Sequence, residues 1–378
     1  MKPVFIASDN IISSLGFTSV ENATNILRGQ TGIKIHHNTQ LAPKPFWASI
    51  TDHARLENEF SRFAEPYDFT LFEKLVICSV KDALYNTGID IQKENVLLIL
   101  STTKGNIDIL DNKNSFHTDQ KRVYLWNTAD RIRSFFGLQN TPVVVSNACI
   151  SGVLAVNIGA RMIRSGRYEH VIVSGADLVT EFVLSGFNSF LSLCDGPCKP
   201  FDNERTGLSL GEAAGTIILT ADKNLAGKDA LIVRKGFSSN DANHISGPSR
   251  TGEGLYIAIS KTLEPENPID YISAHGTATP YNDEMESIAL TRAGLNHVPV
   301  NSLKGYWGHT LGAAGIIEIA AGLYSMRNNV LFKTLGYSTP GTTQPIAVID
   351  HNTNAEVYGF LKIASGFGGS NAALIITK

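Results

Sequence analysis

Short apolar runs, often β-branched, recur along the chain, most of them bounded by Gly, Asn, Asp or Ser. They are Val4 to Ala7, Val96 to Leu100, Val143 to Val145, Val171 to Val173, Thr216 to Thr220 and Ala230 to Val233, then Ile269 to Ser273, Leu361 to Ala364 and Ala373 to Thr377. Runs of this length and composition predict buried strands. Between several of them the apolar spacing becomes helical, most clearly over Ser151 to Ser165 and Ala313 to Asn328. Strands alternating with helices predict an α/β fold with a mixed sheet.

The two helical patterns each follow a strand and a polar loop, and each is rich in small residues on one side. Gly211-Glu212-Ala213-Ala214-Gly215 leads into Thr216 to Thr220, and Gly368-Gly369-Ser370-Asn371-Ala372-Ala373 leads into Leu374 to Thr377, so the two halves end alike. This self-similarity predicts an internal duplication, with one half over residues 1–222 and the other over 223–378. The boundary falls in the polar, turn-forming stretch Ala221 to Lys228.

Composition narrows the picture. A chain of 378 residues that is 43% hydrophobic and 18% charged is ordinary globular material. A formal net charge of -3 and a pI near 6.4 give no general drive toward nucleic acid or anionic membrane. No apolar run approaches the roughly 18 residues of a membrane-spanning helix. The stretch after Met1 and Lys2 stops at Asp9 and Asn10, too short for a secretory signal. The expectation is a cytoplasmic protein with no nucleic-acid partner and no membrane span. The four cysteines, Cys78, Cys149, Cys194 and Cys198, are too sparse for a disulfide framework. Cys194 and Cys198 lack a second pair at zinc-ligand spacing, so no metal site is expected from them.

Candidate chemistry starts at Cys149. Val143-Val144-Val145-Ser146-Asn147-Ala148-Cys149-Ile150-Ser151-Gly152 reads as a strand turning tightly into a helix. Unpaired N–H groups at a helix N-terminus would stabilise a thiolate, lowering its pKa from about 8.5 toward neutrality. The backbone N–H of Cys149 could also donate to a carbonyl under attack. Gly152, Ala155, Gly159 and Ala160 would let another backbone pack close beneath it. A buried structural cysteine is the plainer alternative.

His275 follows the strand Asp270-Tyr271-Ile272-Ser273-Ala274 and opens Gly276-Thr277-Ala278-Thr279-Pro280-Tyr281-Asn282-Asp283-Glu284-Met285-Glu286, a loop too polar to be core. His309 lies in Asn301-Ser302-Leu303-Lys304-Gly305-Tyr306-Trp307-Gly308-His309, again strand, glycine-rich loop, then helix. A cysteine with two histidines admits three chemistries. A hydrolase needs one imidazole as base; decarboxylative condensation uses two neutral imidazoles, each donating an N–H to an enolate oxygen. Metal ligation by His275, Asp283 and Glu286 is the third, and it lacks an open-site pattern. The pair fits condensation better. Lys304 lies fourteen residues before Glu318, which falls about two turns into the following helix, and the two predict a buried ion pair. Asp283 and Glu286 read as groups that fix loop geometry.

These residues resemble the β-ketoacyl-acyl-carrier-protein (ACP) synthase family of the thiolase superfamily. The likeness rests on Ala148-Cys149-Ile150-Ser151-Gly152, Pro200-Phe201-Asp202-Asn203-Glu204-Arg205-Thr206-Gly207 through Gly211-Glu212, the His275 loop, the Lys304 to His309 loop, and Gly366-Phe367-Gly368-Gly369-Ser370-Asn371, in that order over nearly the whole chain. It implies a thiolase-like fold of two duplicated halves with mixed five-stranded sheets in α-β-α-β-α layers. It implies that Cys149 takes the acyl group and that His275 and His309 serve decarboxylation and condensation, with Lys304 and Glu318 as the supporting pair. Phe367 matches the family's gate, in a loop whose backbone N–H completes the oxyanion hole. Thr277, Thr279 and Gly368 would bind the substrate arm. The reaction implied joins an acyl thioester to malonyl-ACP with loss of carbon dioxide. No cofactor is implied beyond the phosphopantetheine arm of the acyl carrier protein, and no metal. The partner is a second copy or a chain-length-factor subunit; a non-catalytic chain-length-factor-like role is the alternative. Compact synthases of this sort occur in aryl polyene and flexirubin-like pathways, so the setting is fatty acid or polyketide biosynthesis. Departures are Ala7-Ser8-Asp9-Asn10 in place of a glycine-rich turn, Ser365 in place of an aromatic, and trimming between Thr103 and Thr141 and between Lys223 and Pro265.

Overall fold

Ten strands frame the computed structural model, which describes residues 2–85, 87–110, 120–228 and 230–378. The first five are β1 (Phe5–Ile12), β2 (Val96–Ser101), β3 (Val143–Val145), β4 (His170–Asp177) and β5 (Ala213–Thr220). The second five are β6 (Ile232–Asn240), β7 (Tyr271–Ser273), β8 (Val300–Asn301), β9 (Gly359–Gly366) and β10 (Ser370–Thr377). Across the sheet they run β8-β7-β9-β10-β6-β1-β5-β4-β2-β3.

The two sets repeat each other. β1 pairs with β5 and β5 with β4 antiparallel, then β4 with β2 and β2 with β3 parallel. Correspondingly β6 pairs with β10 and β10 with β9 antiparallel, then β9 with β7 and β7 with β8 parallel. The expected five-stranded mixed units are therefore present, but Phe5 of β1 pairs with Ile232 of β6 and joins them into one ladder.

Helices make the remaining layers: α1 (Leu71–Leu84), α2 (Leu125–Phe136), α3 (Ser151–Arg164), α4 (Glu253–Thr262), α5 (Pro280–Arg292) and α6 (Ala314–Asn328). α3 and α6 form the central layer, each touching strands of both units. α1 covers the outer face of β1, β5 and β4, and α4 covers β6 and β10. Small residues make the central layer possible. A Cβ on Gly152 would lie 2.8 Å from the Ile316 nitrogen, and one on Gly315 would lie 2.6 Å from the Val153 nitrogen. The N-terminal ends of α3 and α6 thus meet backbone to backbone.

Several expectations need correction. Ala7-Ser8-Asp9-Asn10 is not a loop: it continues β1, which shifts register against β5 between Ile6 and Ser8, as a bulge does. The run Ala230 to Val233 begins its strand only at Ile232. Part of the segment between Thr103 and Thr141, residues 111–119, lies outside the described residues. No helix among the described residues is long and apolar enough to cross a membrane.

Candidate active site

Three side chains converge where the parallel strands of the two units end. Cys149 follows β3, His275 follows β7 and His309 follows β8. Ligating atoms of Cys149, His275 and His309 all lie within 4.8 Å of one another, and all three residues are buried. The two imidazole rings are 5.1 Å apart between centroids and nearly perpendicular, at 84°. The duplication explains the meeting, because Gly152 and Gly315 bring the loops before α3 and α6 together.

The elbow at Cys149 is strained. Ala148 adopts φ 44°, a left-handed conformation uncommon for a residue with a Cβ. Ser151 holds the turn: its Oγ donates to the Ala148 carbonyl at 2.6 Å and accepts from the Asn147 N–H at 2.7 Å. The expected lowering of the thiol pKa is not found. Burial pushes the Cys149 thiol up to about 11, while Lys304, the Phe367 N–H and Lys104 pull it down. One reason is local: the Ser151 N–H donates to the Ala148 carbonyl, so this helix-start donor is engaged within the turn.

Both imidazoles are held neutral. Burial, then the Lys304 charge, depresses His275 and His309 well below the ordinary histidine range. Their tautomers follow from their partners. Lys304 Nζ donates to His275 Nδ1 at 3.3 Å, and the Leu311 N–H donates to His309 Nδ1 at 3.3 Å. Each ring is therefore an acceptor at Nδ1 and carries its proton on Nε2. His309 Nε2 is buried without a partner among the described residues, a donor left open.

Lys304 anchors this arrangement. It starts the one-turn helix Lys304–Trp307, not a loop, and its ammonium also reaches the His275 carbonyl at 2.5 Å and Glu318 Oε1 at 2.6 Å. Glu318 sits little more than one turn into α6, closer to its start than expected. The expected buried pair is a triad. Lys362 Nζ lies 2.6 Å from Glu318 Oε2 and donates to the Ala274 carbonyl at 2.9 Å. Burial lowers the Lys362 ammonium to about 8. Sequence reasoning passed over Lys362, although a lone charge inside the apolar run Leu361 to Ala364 was the available signal.

Much of the stretch after His275 is buried, Gly276 to Ala278 together with Asp283, Met285 and Glu286, while Pro280 and Tyr281 are exposed. Asp283 and Glu286 lie on α5 and are fully buried. Glu286 accepts from the His275 N–H at 2.9 Å and the Gly276 N–H at 2.7 Å. Asp283 accepts from the Thr277 N–H at 3.0 Å and the Phe201 N–H at 2.7 Å. These carboxylates satisfy a turning backbone, which is how so polar a segment can be buried. Asp177, also missed, accepts from the Gly312 N–H at 2.7 Å and the Thr103 N–H at 2.9 Å, tying the loop after β2 to that after His309.

Cys149, His275, His309, Thr277, Thr279 and Phe367 line a cavity of about 460 Å³. Thr277 and Thr279 share a hydroxyl contact of 2.9 Å. Gly368 points elsewhere: its N–H donates to the Ile245 carbonyl at 2.7 Å, and the N–H facing the sulfur is that of Phe367. Ser365 lines the cavity and donates to Asn371 Oδ1 at 2.7 Å. Phe187 stacks on Phe367 at 5.7 Å, and Phe190 meets its edge at 5.3 Å.

Residues 1–224 match the family described as beta-ketoacyl synthase, N-terminal domain, and residues 230–338 match its C-terminal domain. The chain belongs to the β-ketoacyl synthase family. Its acyltransferase class follows from that membership. The chain is 28% identical over 410 residues to 3-oxoacyl-acyl-carrier-protein synthase 2 of Vibrio harveyi, covering 99% of this chain and 98% of that one. It is 29% identical over 291 residues to a putative polyketide beta-ketoacyl synthase 1 of Streptomyces virginiae, covering 72% and 69%. Its fold matches the ishigamide ketosynthase/chain length factor with a TM-score of 0.87 at 24% identity, covering 100% of this chain and 99% of that one. The Cys149, His275 and His309 set also has the donor types of a zinc site.

Proposed function

We propose that this β-ketoacyl synthase condenses an acyl thioester with malonyl-ACP through an acyl-Cys149 intermediate, releasing carbon dioxide. The observation that supports it best is the pair of neutral imidazoles, each with its proton on Nε2, beside a buried thiol. A hydrolase would need a lone pair aimed at the sulfur or at water, whereas two N–H donors suit an oxyanion.

In the first half-reaction the Cys149 sulfur attacks the primer's carbonyl, with the N–H groups of Cys149 and Phe367 receiving the oxygen. The carrier's C–S bond breaks, and the departing thiol takes the proton that Cys149 gives up. The malonyl arm then enters past Thr277 and Thr279. The bond to its carboxylate breaks, and the electron pair forms an enolate whose oxygen accepts from Nε2 of His275 and His309. The enolate carbon attacks the acyl carbonyl, and the Cys149 sulfur leaves and is reprotonated. Lys304, Lys362 and Glu318 keep the imidazoles neutral and fixed. No bound cofactor is needed beyond the carrier's arm.

In this reading the working unit is a dimer in the cytoplasm, of two copies or with a chain-length-factor subunit, serving fatty acid or polyene/polyketide biosynthesis. The test is release of labelled carbon dioxide from malonyl-ACP by wild type and Cys149→Ala, with and without primer. Primer-dependent release lost in Cys149→Ala supports the reading; no release from wild type, alone or with candidate partners, contradicts it and favours a non-catalytic subunit.

A further inference from the structure

A second cavity, of about 220 Å³, also reaches Cys149 and Phe367. Phe182, Val183, Phe187, Phe190 and Leu311 give it a largely apolar wall. Gly186 lines it too, and a Cβ there would meet nothing within 4 Å, so the space is open. If Cys149 carries the acyl group, the reading on which this inference rests, this is the cavity shaped for the chain.

One wall is out of keeping with an alkyl chain. Lys104, in the loop after β2, lines this cavity and not the larger one that holds Thr277 and Thr279. Its backbone is pinned, the N–H donating to Asp177 Oδ1 at 3.1 Å and the next residue's N–H to Thr102 Oγ1 at 2.9 Å. Its ammonium makes no hydrogen bond or ion pair among the described residues. It acts on the Cys149 sulfur through space, so the two groups share one environment. An alkyl chain filling this cavity would strip water from the ammonium and offer no partner in return, an unfavourable exchange. A carboxylate on the acyl group would supply one, while its hydrocarbon body lay against the phenylalanines.

We propose that Lys104 selects a primer bearing a second carboxylate, the half-thioester of a dicarboxylic acid. Because Lys104 lies outside the cavity with the arm-binding threonines, the selection acts on the primer and not on the malonyl extender. Loading is a plain thioester exchange: the Cys149 S–C bond forms, the donor's C–S bond breaks, and the proton passes to the departing thiol.

The test compares octanoyl-pantetheine with suberoyl-pantetheine, which has the same chain length and a terminal carboxylate, as acyl donors to the full-length protein. Loading rates are followed by intact mass. Their ratio within one variant cancels changes in thiol reactivity. Wild type should load the suberoyl group about tenfold faster, the scale of one charge-assisted hydrogen bond. Lys104→Met should bring the ratio to one or below, and Lys104→Arg should retain it. A wild-type preference for octanoyl, or a ratio unchanged in Lys104→Met, overturns the proposal. Loading by neither donor, or loading that survives Cys149→Ala, overturns the acyl-Cys149 reading itself and this inference with it.

Discussion

The ammonium of Lys304 lies 3.3 Å from Nδ1 of His275 and donates to it. That contact keeps the imidazole proton on Nε2 and, through its charge, discourages a second proton. The protonation state of His275 is thus set by a residue on a different element, the one-turn helix Lys304–Trp307.

Replacing Lys304 with Met should remove both effects while leaving Cys149 in place. Carbon dioxide release should fall by about 100-fold, the scale of losing one oriented oxyanion donor. Alkylation of Cys149 by iodoacetamide should persist, slowed because Lys304 also favours the thiolate. Release at the wild-type rate would show that His275 needs no such support.

The two half-reactions should differ in pH dependence. The Cys149 thiol is pushed up to about 11, so its alkylation should rise about tenfold for each pH unit through neutrality, without a plateau. The imidazoles, depressed well below 6.5, stay neutral as pH falls through that value, so decarboxylation should show no inflection there. The same depression has a stability consequence. Below pH 6.5 unfolded imidazoles take up protons that the folded ones refuse, so stability from these groups is present above 6.5 and declines below it. An inflection near 6.5 in decarboxylation would contradict the neutral-donor assignment.

Lys362→Ala should cost about 1–3 kcal/mol of stability, the scale of leaving one buried acceptor without its partner, because Glu318 keeps Lys304 at Oε1 and loses Lys362 at Oε2. Denaturant unfolding measures it. A change near zero would mean that the second lysine is idle.

Gly152→Ala should lower stability by about 1–3 kcal/mol, since its Cβ would press on the Ile316 nitrogen and part α3 from α6. Because the loops before those helices carry Cys149 and His309, condensation should fall in the same variant. Retained activity would separate helix packing from site geometry.

Much of this site could be read from residues alone. The glycine-framed loops flagged His275 and His309, and the strand-to-helix turn flagged Cys149, because strand ends are where side chains from separate loops can converge. Lys362 escaped notice because its partner, Glu318, is distant in the chain. Asp283 and Glu286 read from the sequence as groups that fix loop geometry, and their carboxylates do hold that backbone, but side-chain polarity does not reveal that the surrounding N–H groups let them be fully buried. The thiol was misjudged for a related reason: proximity to a helix start is legible in sequence, but the degree of burial opposing it is not. The Phe5–Ile232 pairing that joins the two units is a short bridge between edge strands, with no pattern of its own.

In the proposed mechanism Cys149 carries the acyl group and yields it to a decarboxylated extender. The most direct measurement loads the protein with primer thioester alone, locates the acyl mass by peptide mapping, and chases with malonyl-ACP. The acyl mass should appear on the Cys149 peptide and then be lost, with carbon dioxide and β-ketoacyl product formed in equal amounts. An acyl mass on another residue, or one that malonyl-ACP does not discharge, would contradict it.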